Sequence, residues 1–579
     1  MRARIAGLLL LAGCASAPGA PLPAHAGKPA VPPASASPAP SVPQAGAPVL
    51  VVVIVDQLAS WVFEQRRAGF APNGAFDQLL QRGAYAPVLR YEHATTSTAP
   101  GHAALFTGLP PRESGVFANE RLDDRDKPGS IFADSRTKVV VDRARDGTSS
   151  SAVALRAPTL ADALHAQRPD AKIIALSLKD RAVVPDGGKS PTLAVWFEPE
   201  REAFVTSTAF AEALPGWLPE QNRALARALG GSWRPLDERW LEQHAATADE
   251  QAGEGDFGPA VRFPYELSQA KPRAKAFRGY PAADRAVLEL ARAALRALPE
   301  KDGEQPLLVV LSFSALDYVG HAHGPDSWES WEVLRELDLE LGAFFDELEQ
   351  RFGERLSILL SADHGTAPLP ETAGDARARP WCAALPDPFE RPCTKGERLS
   401  RADLDERLQR AADAALGPGK WIRGVVEPFA YFTPEAAALP PERRAALEQA
   451  AISALEQHPG VARVFASRSF AAACPPPADE SLEALVCRSI PPGAGDLYIV
   501  SKPGSFFDPN LIVGRGINHG SPYLYDRTVP VLLRAARTKR PGARIDGRLR
   551  PADFTATAAA LLHITPPAGA IRGRNLAAE

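Results

Sequence analysis

Short apolar runs alternate with amphipathic segments along most of the chain. The runs at 49–57, 171–181, 306–317 and 356–365 are rich in Val, Ile and Leu, which is typical of strands buried on both faces. Between the last two runs, apolar residues recur at steps of three and four and predict an amphipathic helix. These residues are Trp331, Leu334, Leu337, Leu341, Phe345 and Leu348. The two alternating patterns predict an α/β fold.

Each of the four predicted strands ends in ionisable residues. They are Asp56 after the first strand, Lys179 and Arg181 after the second, Asp317 after the third, and Asp363 with His364 after the fourth. In open α/β sheets, binding sites form outside the carboxyl ends of the strands. We therefore expect these side chains to share one site.

Two segments interrupt this alternation. Residues 201–281 are rich in Trp, Pro, Gly and charge, with weak periodicity, and predict an insertion that forms a cap. Residues 398–491 predict a small α/β subdomain, after which strand-like runs resume at "GDLYIVSK" and "VPVLLRA". We expect 48–579 to form one domain that carries both insertions.

The N-terminus has the layout of an export signal. Residues 1–14 combine two arginines, a short apolar run and the ending Leu-Ala-Gly-Cys, which resembles a bacterial lipobox with Cys14 as the lipidated residue. The alternative is an ordinary signal peptide with an incidental cysteine. Residues 15–47 consist mainly of Ala, Pro, Ser and Gly and predict an extended tether. The expected location is the periplasm, where the lipid on Cys14 is the only membrane attachment. Ala15 favours the outer membrane, by resemblance to lipoprotein sorting.

Cysteine usage and charge narrow the class of protein further. In an exported chain, Cys382, Cys393, Cys474 and Cys487 suggest two disulfides, and local pairing (382 with 393, 474 with 487) is the simplest of three connectivities. Free thiols remain an alternative, whereas a four-cysteine zinc site is disfavoured because there is no CxxC pair. A formal net charge of −4 argues against nucleic-acid binding.

Six oxygen- and nitrogen-bearing side chains in strand-end or glycine-flanked positions form a candidate metal centre. Alone, each would be a capping carboxylate or a buried histidine, but together they can provide two divalent ions with three ligands each. Mixed carboxylate and imidazole ligands favour zinc over magnesium. The six are Asp56, Asp317, His321, Asp363, His364 and His519.

The stretch "YEHATTSTAPGH" contains the pattern T-x-P-[GN]-H, and with the six candidate ligands it resembles the alkaline phosphatase superfamily. The resemblance is to its phosphodiesterase/nucleotide-pyrophosphatase-like branch, and within it to the PafA-type bacterial alkaline phosphatases, which have a threonine nucleophile. It covers most of the chain after the tether. It implies a three-layer α/β/α sandwich with a mostly parallel central sheet.

The resemblance also implies roles for individual residues. Thr98 would be the nucleophile that forms a phosphothreonine, and Asn119, 21 positions later, would contact the phosphate. Two zinc ions are implied. One would be held by Asp317, His321 and His519, and the other by Asp56, Asp363 and His364. Thr95, Thr96 and Ser97 would be polar loop residues, His102 would shape the loop, and His323 is disfavoured as a ligand because the family spacing places the histidine four after the aspartate.

The substrate class depends on Lys179 and Arg181. In an extended segment, residues two apart point to one face, and two cations suit the dianion of a phosphate monoester. The pair also resembles that of the PafA-type monoesterases, although a solvated turn is the alternative. We expect a monomeric enzyme that acts on small phosphate monoesters.

Four other activities agree less well with the sequence. A phosphodiesterase or nucleotide pyrophosphatase is the alternative. A sulfatase is disfavoured because the Cys/Ser-x-Pro-x-Arg motif is missing, and a phosphomutase because of the export signal. A non-catalytic surface-binding lipoprotein is weakly supported, since none of the expected ligands is replaced.

Overall fold

The computed structural model describes residues 46–578, apart from 124, 142–143, 256–260, 299–304, 374–394, 509–513, 537 and 539. The predicted signal segment 1–14 with Cys14, and all but the end of the tether 15–47, lie outside the described residues. The same holds for the predicted pair Cys382–Cys393. These three features therefore stay predictions.

An 11-stranded sheet forms the centre of the protein. The strands, in chain order with the four of the small sheet described below (β10–β13), are β1 Val49–Val55, β2 Ala84–Arg90, β3 Val139–Val141, β4 Ala144–Asp146, β5 Lys172–Ser177, β6 Leu193–Glu198, β7 Ala203–Ser207, β8 Leu307–Phe313, β9 Leu356–Ser361, β10 Ile422–Val426, β11 Phe429–Phe432, β12 Val461–Ala466, β13 Leu497–Ser501, β14 Thr528–Arg534 and β15 Ala543–Arg544. The order in the central sheet is β15-β2-β14-β9-β1-β8-β5-β6-β7-β3-β4. The predicted α/β class is confirmed.

The centre of the sheet is parallel and its flanks are mixed. Strands β9, β1, β8, β5 and β6 pair in parallel, whereas β14 and β7 join this block antiparallel. The four strands predicted from apolar runs are the adjacent strands β9, β1, β8 and β5. All seven residues of β1 are buried, as expected for a strand covered on both faces. Adjacency brings the carboxyl ends of these four strands together.

Helices cover the sheet in two groups. Helices α2, α10, α11 and α12 pack together in one group, and α3, α5, α6 and α18 in the other. The helices are α1 Ser60–Arg66, α2 Ala75–Arg82, α3 Thr98–Thr107, α4 Pro111–Ser114, α5 Leu160–Gln167, α6 Asp180–Gly187, α7 Leu218–Ala228, α8 Glu238–His244, α9 Arg273–Phe277, α10 Pro281–Arg296, α11 Ala315–His323, α12 Trp328–Phe352, α13 Arg401–Leu416, α14 Pro434–Ala437, α15 Pro441–Glu456, α16 Leu482–Ser489, α17 Leu524–Arg527 and α18 Pro551–Leu561. Helix α12 contains the predicted amphipathic pattern. None of the described helices combines the length and apolar character needed to cross a bilayer.

The two predicted insertions have different boundaries from those expected. Residues 203–207, at the start of the first, form β7 and pair with β6, so the main sheet extends into this segment. The small subdomain contains the four-stranded sheet β10-β11-β13-β12. Its strand β13 lies beyond the predicted limit of 491 and pairs with β11 and β12 rather than with the main sheet. An apolar run predicts a strand but does not identify its partner.

A disulfide joins Cys474 to Cys487, as predicted, with the two Cα atoms 5.7 Å apart. Cys487 lies in the last turn of α16, two residues before Ser489, with which the helix ends. The Ser489 hydroxyl accepts hydrogen bonds from the backbone N–H groups of Ala94 (2.7 Å) and Thr95 (3.3 Å). The disulfide therefore braces a helix that supports the threonine-rich loop.

We expect the double variant Cys474→Ser/Cys487→Ser to lower the free energy of unfolding by about 2–3 kcal/mol, because the bridge closes a short loop in the unfolded chain. Denaturant titration under oxidising conditions measures this difference. The control is Cys382→Ser/Cys393→Ser, in which reduction can break only the bridge between Cys474 and Cys487, and reduction should lower its free energy of unfolding by the same amount. Equal stability of oxidised wild type and variant would contradict a stabilising role.

Candidate active site

Four neighbouring strands deliver charged side chains to one edge of the sheet. Asp56 follows β1, Lys179 follows β5, and Asp317 lies in the first turn of α11, after β8. The Lys179 ammonium donates to Asp56 Oδ2 over 2.6 Å and also to Asp317 Oδ2. All three side chains are buried. The predicted convergence of these residues is thus observed in the structure.

Asp56, Asp363 and His364 form one group that could hold a metal ion. His364 Nε2 lies 3.4 Å from Asp56 Oδ1 and 3.5 Å from Asp363 Oδ2. These three atoms are buried, and none has a hydrogen-bond partner within the described part of the chain. Buried polar atoms normally have partners. Three such atoms around one point fit a cation that binds carboxylate and imidazole, as zinc does.

A second group surrounds Asp317. Its Oδ1 lies 3.3 Å from His321 Nε2 and 3.5 Å from His519 Nε2. His364 belongs to this group as well, since its ring stacks on that of His519 with 3.6 Å between centroids, and Asp317, His364 and His519 could hold an ion. The six predicted ligands therefore form one continuous cluster in which His364 touches both halves.

Backbone carbonyls fix the orientation of the three histidines. The Nδ1–H groups of His321, His364 and His519 donate to the carbonyl oxygens of Ile517 (2.8 Å), Gly365 (3.0 Å) and Thr96 (2.8 Å). A carbonyl can only accept, so a proton lies on each Nδ1, and in the neutral ring the Nε2 lone pair faces the cluster. This arrangement is common for metal-binding histidines.

Thr98 is the first residue of α3 and is 1% exposed. Its Oγ1 lies 3.4 Å from Lys179 Nζ. The hydroxyls of Thr95 and Thr96 are engaged elsewhere, with Tyr498 (2.9 Å) and with the Ser521 carbonyl (2.8 Å). Of the threonine hydroxyls in this loop, that of Thr98 is the one placed beside the charged cluster.

The start of α3 fits tightly against the site. A Cβ atom at Gly101 would overlap the carbonyl oxygen of Asp363, so glycine allows the helix to approach that residue. Asn119 Oδ1 accepts the Ala99 N–H over 2.8 Å, which leaves the amide N–H groups of Asn119 directed elsewhere. Asn119 also lines the cavity outside the cluster, which has a volume of about 990 Å³.

Lys179 and Arg181 do not lie in an extended segment, contrary to expectation. Helix α6 begins at Asp180, so Lys179 is its N-cap residue and Arg181 lies in its first turn. Lys179 nevertheless reaches the cluster and Arg181 lines the cavity. Asp180 accepts from the hydroxyls of Ser130 and Ser150 at 3.1 and 2.6 Å, which fixes the start of the helix.

The charges of the cluster shift one another's ionisation. Burial lowers the pKa of Lys179, but Asp317 and Asp56 outweigh it and hold this pKa above its usual value. Burial and Asp317 raise the pKa of Asp56, yet Lys179 and His364 bring it below the usual range. Burial and the charge of Asp56 raise the pKa of Asp363 to about 6. At neutral pH these carboxylates are therefore mainly ionised and attract cations.

Three supporting residues were missed by the sequence reasoning. Gln57, with φ of 69°, donates from Nε2 to Asp317 Oδ1 (3.1 Å) and from its backbone N–H to Asp363 Oδ1 (3.2 Å). Asp284 accepts the N–H groups of Ser314 and Ala315 at 3.1 and 3.2 Å and so caps the start of α11. Tyr318 lies under Lys179 and Arg278, 4.8 and 4.1 Å from its ring centroid. Gln57 and Tyr318 had a positional signal, because they directly follow the candidate ligands Asp56 and Asp317, whereas Asp284 had none.

His102 and His323 do not belong to the two groups. His102 Nδ1 lies 2.7 Å from Asp186 Oδ1, while its Nε2 lies 3.7 Å from Asp363 Oδ2. His323 faces Glu254 and Glu329 instead. Both positions agree with the expectations from the family resemblance, in which His323 is not a ligand of this centre and His102 shapes the loop.

Most of the chain matches one known protein family. Residues 50–508 match the family described as type I phosphodiesterase / nucleotide pyrophosphatase. The chain is 29% identical to alkaline phosphatase PhoK from Sphingomonas sp over 501 residues, which cover 84% of this chain and 83% of that protein. It is 28% identical to alkaline phosphatase PhoD of Zymomonas mobilis, over 92% of this chain and 88% of that protein.

A solved structure has the same fold. The crystal structure of wild-type alkaline phosphatase PafA superposes with a TM-score of 0.78 and 23% identity, covering 93% of this chain and 99% of that chain. The curated sequence of alkaline phosphatase PafA from Elizabethkingia meningoseptica is 25% identical over 90% of this chain. The predicted three-layer α/β/α architecture agrees with this likeness.

We expect His364→Ala to remove at least one zinc ion per chain, because His364 Nε2 faces both halves of the cluster. Zinc is measured by atomic emission after dialysis against buffered zinc. His165→Ala, on the exposed face of α5, is the matched control and should bind as much zinc as wild type. Unchanged zinc in folded His364→Ala would exclude this residue as a ligand.

Proposed function

The chain belongs to the type I phosphodiesterase/nucleotide pyrophosphatase family, in the PafA-like branch of the alkaline phosphatase superfamily, and we propose that it hydrolyses phosphate monoesters through Thr98. The observation that carries this proposal is the buried Thr98 hydroxyl at the start of α3, beside Lys179 and the two groups of metal-binding side chains. A nucleophile, cations and anion-binding N–H groups are the parts that phosphoryl transfer needs.

Two zinc ions are part of the proposal. Asp317, His321 and His519 would hold one, and Asp56, Asp363 and His364 the other, with His364 near both. When bound, such ions stabilise charge on the attacking and leaving oxygens. The unpartnered atoms Asp56 Oδ1, Asp363 Oδ2 and His364 Nε2 support this assignment.

The chain's own residues define two chemical steps. Thr98 Oγ1 gives its proton to solvent and forms a bond to phosphorus, while the bond from phosphorus to the ester oxygen breaks and that oxygen takes a proton from solvent as the alcohol leaves. Water then attacks the phosphothreonine, the bond from phosphorus to Oγ1 breaks, one water proton passes to Oγ1, and inorganic phosphate leaves. Two displacements retain configuration at phosphorus. The N-terminus of α3 directs its positive dipole end towards the anionic group, while the Ala99 N–H is held by Asn119 and the Gly101 N–H by the Ser97 carbonyl.

Monoester preference rests on Lys179, Arg181 and Asn119. Lys179 adds positive charge beside Thr98, Arg181 adds positive charge to the cavity, and Asn119 adds an amide held by the Ala99 N–H. A monoester dianion has more charge on its non-bridging oxygens than a diester, so these groups favour the monoester. Arg181 Nε is buried without a hydrogen-bond partner among the described residues, which leaves it available to a ligand.

Diester hydrolysis is the second candidate function. The description of the matched family favours it, and the cavity of about 990 Å³ has room for a second ester group. The ratio of kcat/KM for p-nitrophenyl phosphate to that for bis-p-nitrophenyl phosphate decides between the two. A ratio well above one supports a monoesterase, and a ratio below one supports a diesterase.

Export and lipid anchoring complete the proposal. They rest on the arginines, the apolar run and the lipobox-like ending at Cys14. A monomer that hydrolyses small phosphoesters in the periplasm is the form we propose. Metabolic labelling with a fatty acid tests the anchor, because Cys14→Ser should abolish labelling of the expressed protein.

We expect Thr98→Ala to lower kcat at least roughly a thousandfold on p-nitrophenyl phosphate, since the covalent step is lost. Zinc content should remain that of wild type, because Thr98 is not among the predicted metal-binding groups. Thr98→Ser, which keeps a hydroxyl, is the matched control and should retain more activity than Thr98→Ala. Comparable activity of wild type and Thr98→Ala would refute the nucleophile assignment.

We expect Lys179→Ala/Arg181→Ala to lower kcat/KM on the monoester by on the order of a hundredfold or more, and on the diester by much less. The reason is that the Lys179 and Arg181 side chains contact the negative charge on the phosphate, and this charge is larger on a monoester dianion than on a diester monoanion. Lys189 is exposed and lies just beyond the end of α6. Lys189→Ala is the control for the loss of a lysine and should leave both activities at the wild-type level. Equal losses on both substrates would contradict the proposed origin of monoester preference.

A further inference from the structure

A third group of metal-binding side chains lies apart from the candidate active site. It consists of Glu254, His323 and Glu329, whose ligand atoms all lie within 4.8 Å of one another. The three come from different segments, namely the region of the predicted cap, the last residue of α11 and the first turn of α12. His321 and His323 are two apart on α11, which separates them by roughly 200° around the helix, so His323 faces away from the active site.

The group is fully buried. Glu254 and His323 are each 1% exposed and Glu329 is 0% exposed. His323 Nδ1 lies 3.8 Å from Glu254 Oε2 and 4.0 Å from Glu329 Oε2. These distances are too long for direct hydrogen bonds but suit side chains arranged around a common centre.

Each carboxylate is held by one oxygen and leaves the other unsatisfied. Glu329 Oε1 accepts from the Tyr265 hydroxyl over 2.7 Å, and Glu254 Oε2 accepts from the Gln251 N–H over 3.0 Å. Glu329 Oε2 and Glu254 Oε1 are buried and have no hydrogen-bond partner in the described part of the chain. The hydrogen-bonded oxygens orient both carboxylates, and the two oxygens without hydrogen bonds are available to bind a cation.

The negative charge of the two buried carboxylates also favours a bound cation. Burial raises the pKa of Glu254 to about 9, with Asp249 and Glu250 adding to the effect. Burial also raises the pKa of Glu329 to about 7, although His323 opposes this. No lysine or arginine is among the described groups that shift these two pKa values. Burying both carboxylates in their ionised form is therefore costly. A divalent cation would neutralise them.

We propose that Glu254, His323 and Glu329 bind a third divalent cation, which is structural rather than catalytic. One imidazole and two carboxylates match zinc better than magnesium or calcium. The group is closed to solvent, and Tyr265 packs its ring 5.8 Å from that of His323. The ion would fasten the cap segment around Glu254 to helices α11 and α12. This inference does not depend on the proposed function.

The test compares the zinc content of wild type and Glu254→Gln, both full-length and dialysed against the same buffered zinc. Wild type should bind one ion more than the variant, whatever number the active site holds. Glu336→Gln, two turns further along α12 and paired with Arg285, is the matched control and should bind as much as wild type. Equal zinc in wild type and Glu254→Gln would overturn the proposal.

A measurement on wild type alone covers the case in which Glu254→Gln does not fold. Crystals of the zinc-loaded protein, measured at the zinc absorption edge, should show an anomalous peak about 2.0–2.2 Å from His323 and both carboxylates. Absence of that peak, with the rest of the protein ordered, would show that protons alone stabilise the group. Failure of the proposed phosphatase activity would leave either result unchanged.

Discussion

The rest of the structure depends on charge compensation among three buried carboxylates. Asp56, Asp317 and Asp363 are at most 1% exposed and follow the adjacent strands β1, β8 and β9. Two like charges about 4 Å apart repel by about 4 kcal/mol at an effective dielectric constant of 20. The Lys179 ammonium, between Asp56 and Asp317, offsets part of this repulsion. Positive charge therefore stabilises this edge of the sheet, and the histidine Nε2 atoms complete two groups of side chains that could hold metal ions.

Helix starts reinforce the positive potential around these carboxylates. Helices α3, α6 and α11 begin at the same edge of the sheet, at Thr98, Asp180 and Ala315. The positive end of a helix dipole lies at each start. An anion that enters the cavity would thus meet the positive dipole ends of several helices as well as Arg181. The site combines fixed negative charge for cations with fixed dipoles for an anion, as phosphoryl transfer requires.

The sequence predicted the parts of the fold that local patterns encode. The apolar runs identified β1, β5, β8 and β9, and the residues at their ends proved to lie together because these strands are neighbours. Pairing partners are not local, so the membership of β7 in the main sheet and of β13 in the small sheet was missed. The extended arrangement expected for Lys179 and Arg181 was wrong because α6 begins between them. Asp284 carries no local signal, since its partners lie 30 and 31 residues away.

Helix α11 shows how the site is held rigid. Asp284 fixes its first N–H groups, Gln57 holds Asp317 in its first turn, and the Ile517 carbonyl orients His321 in its last turn. His323, its final residue, faces the buried carboxylates Glu254 and Glu329 on the other side. A helix anchored at both ends cannot rotate without breaking contacts on two sides. The positions of Asp317 and His321 therefore depend on residues outside the site as much as on the ligands they present.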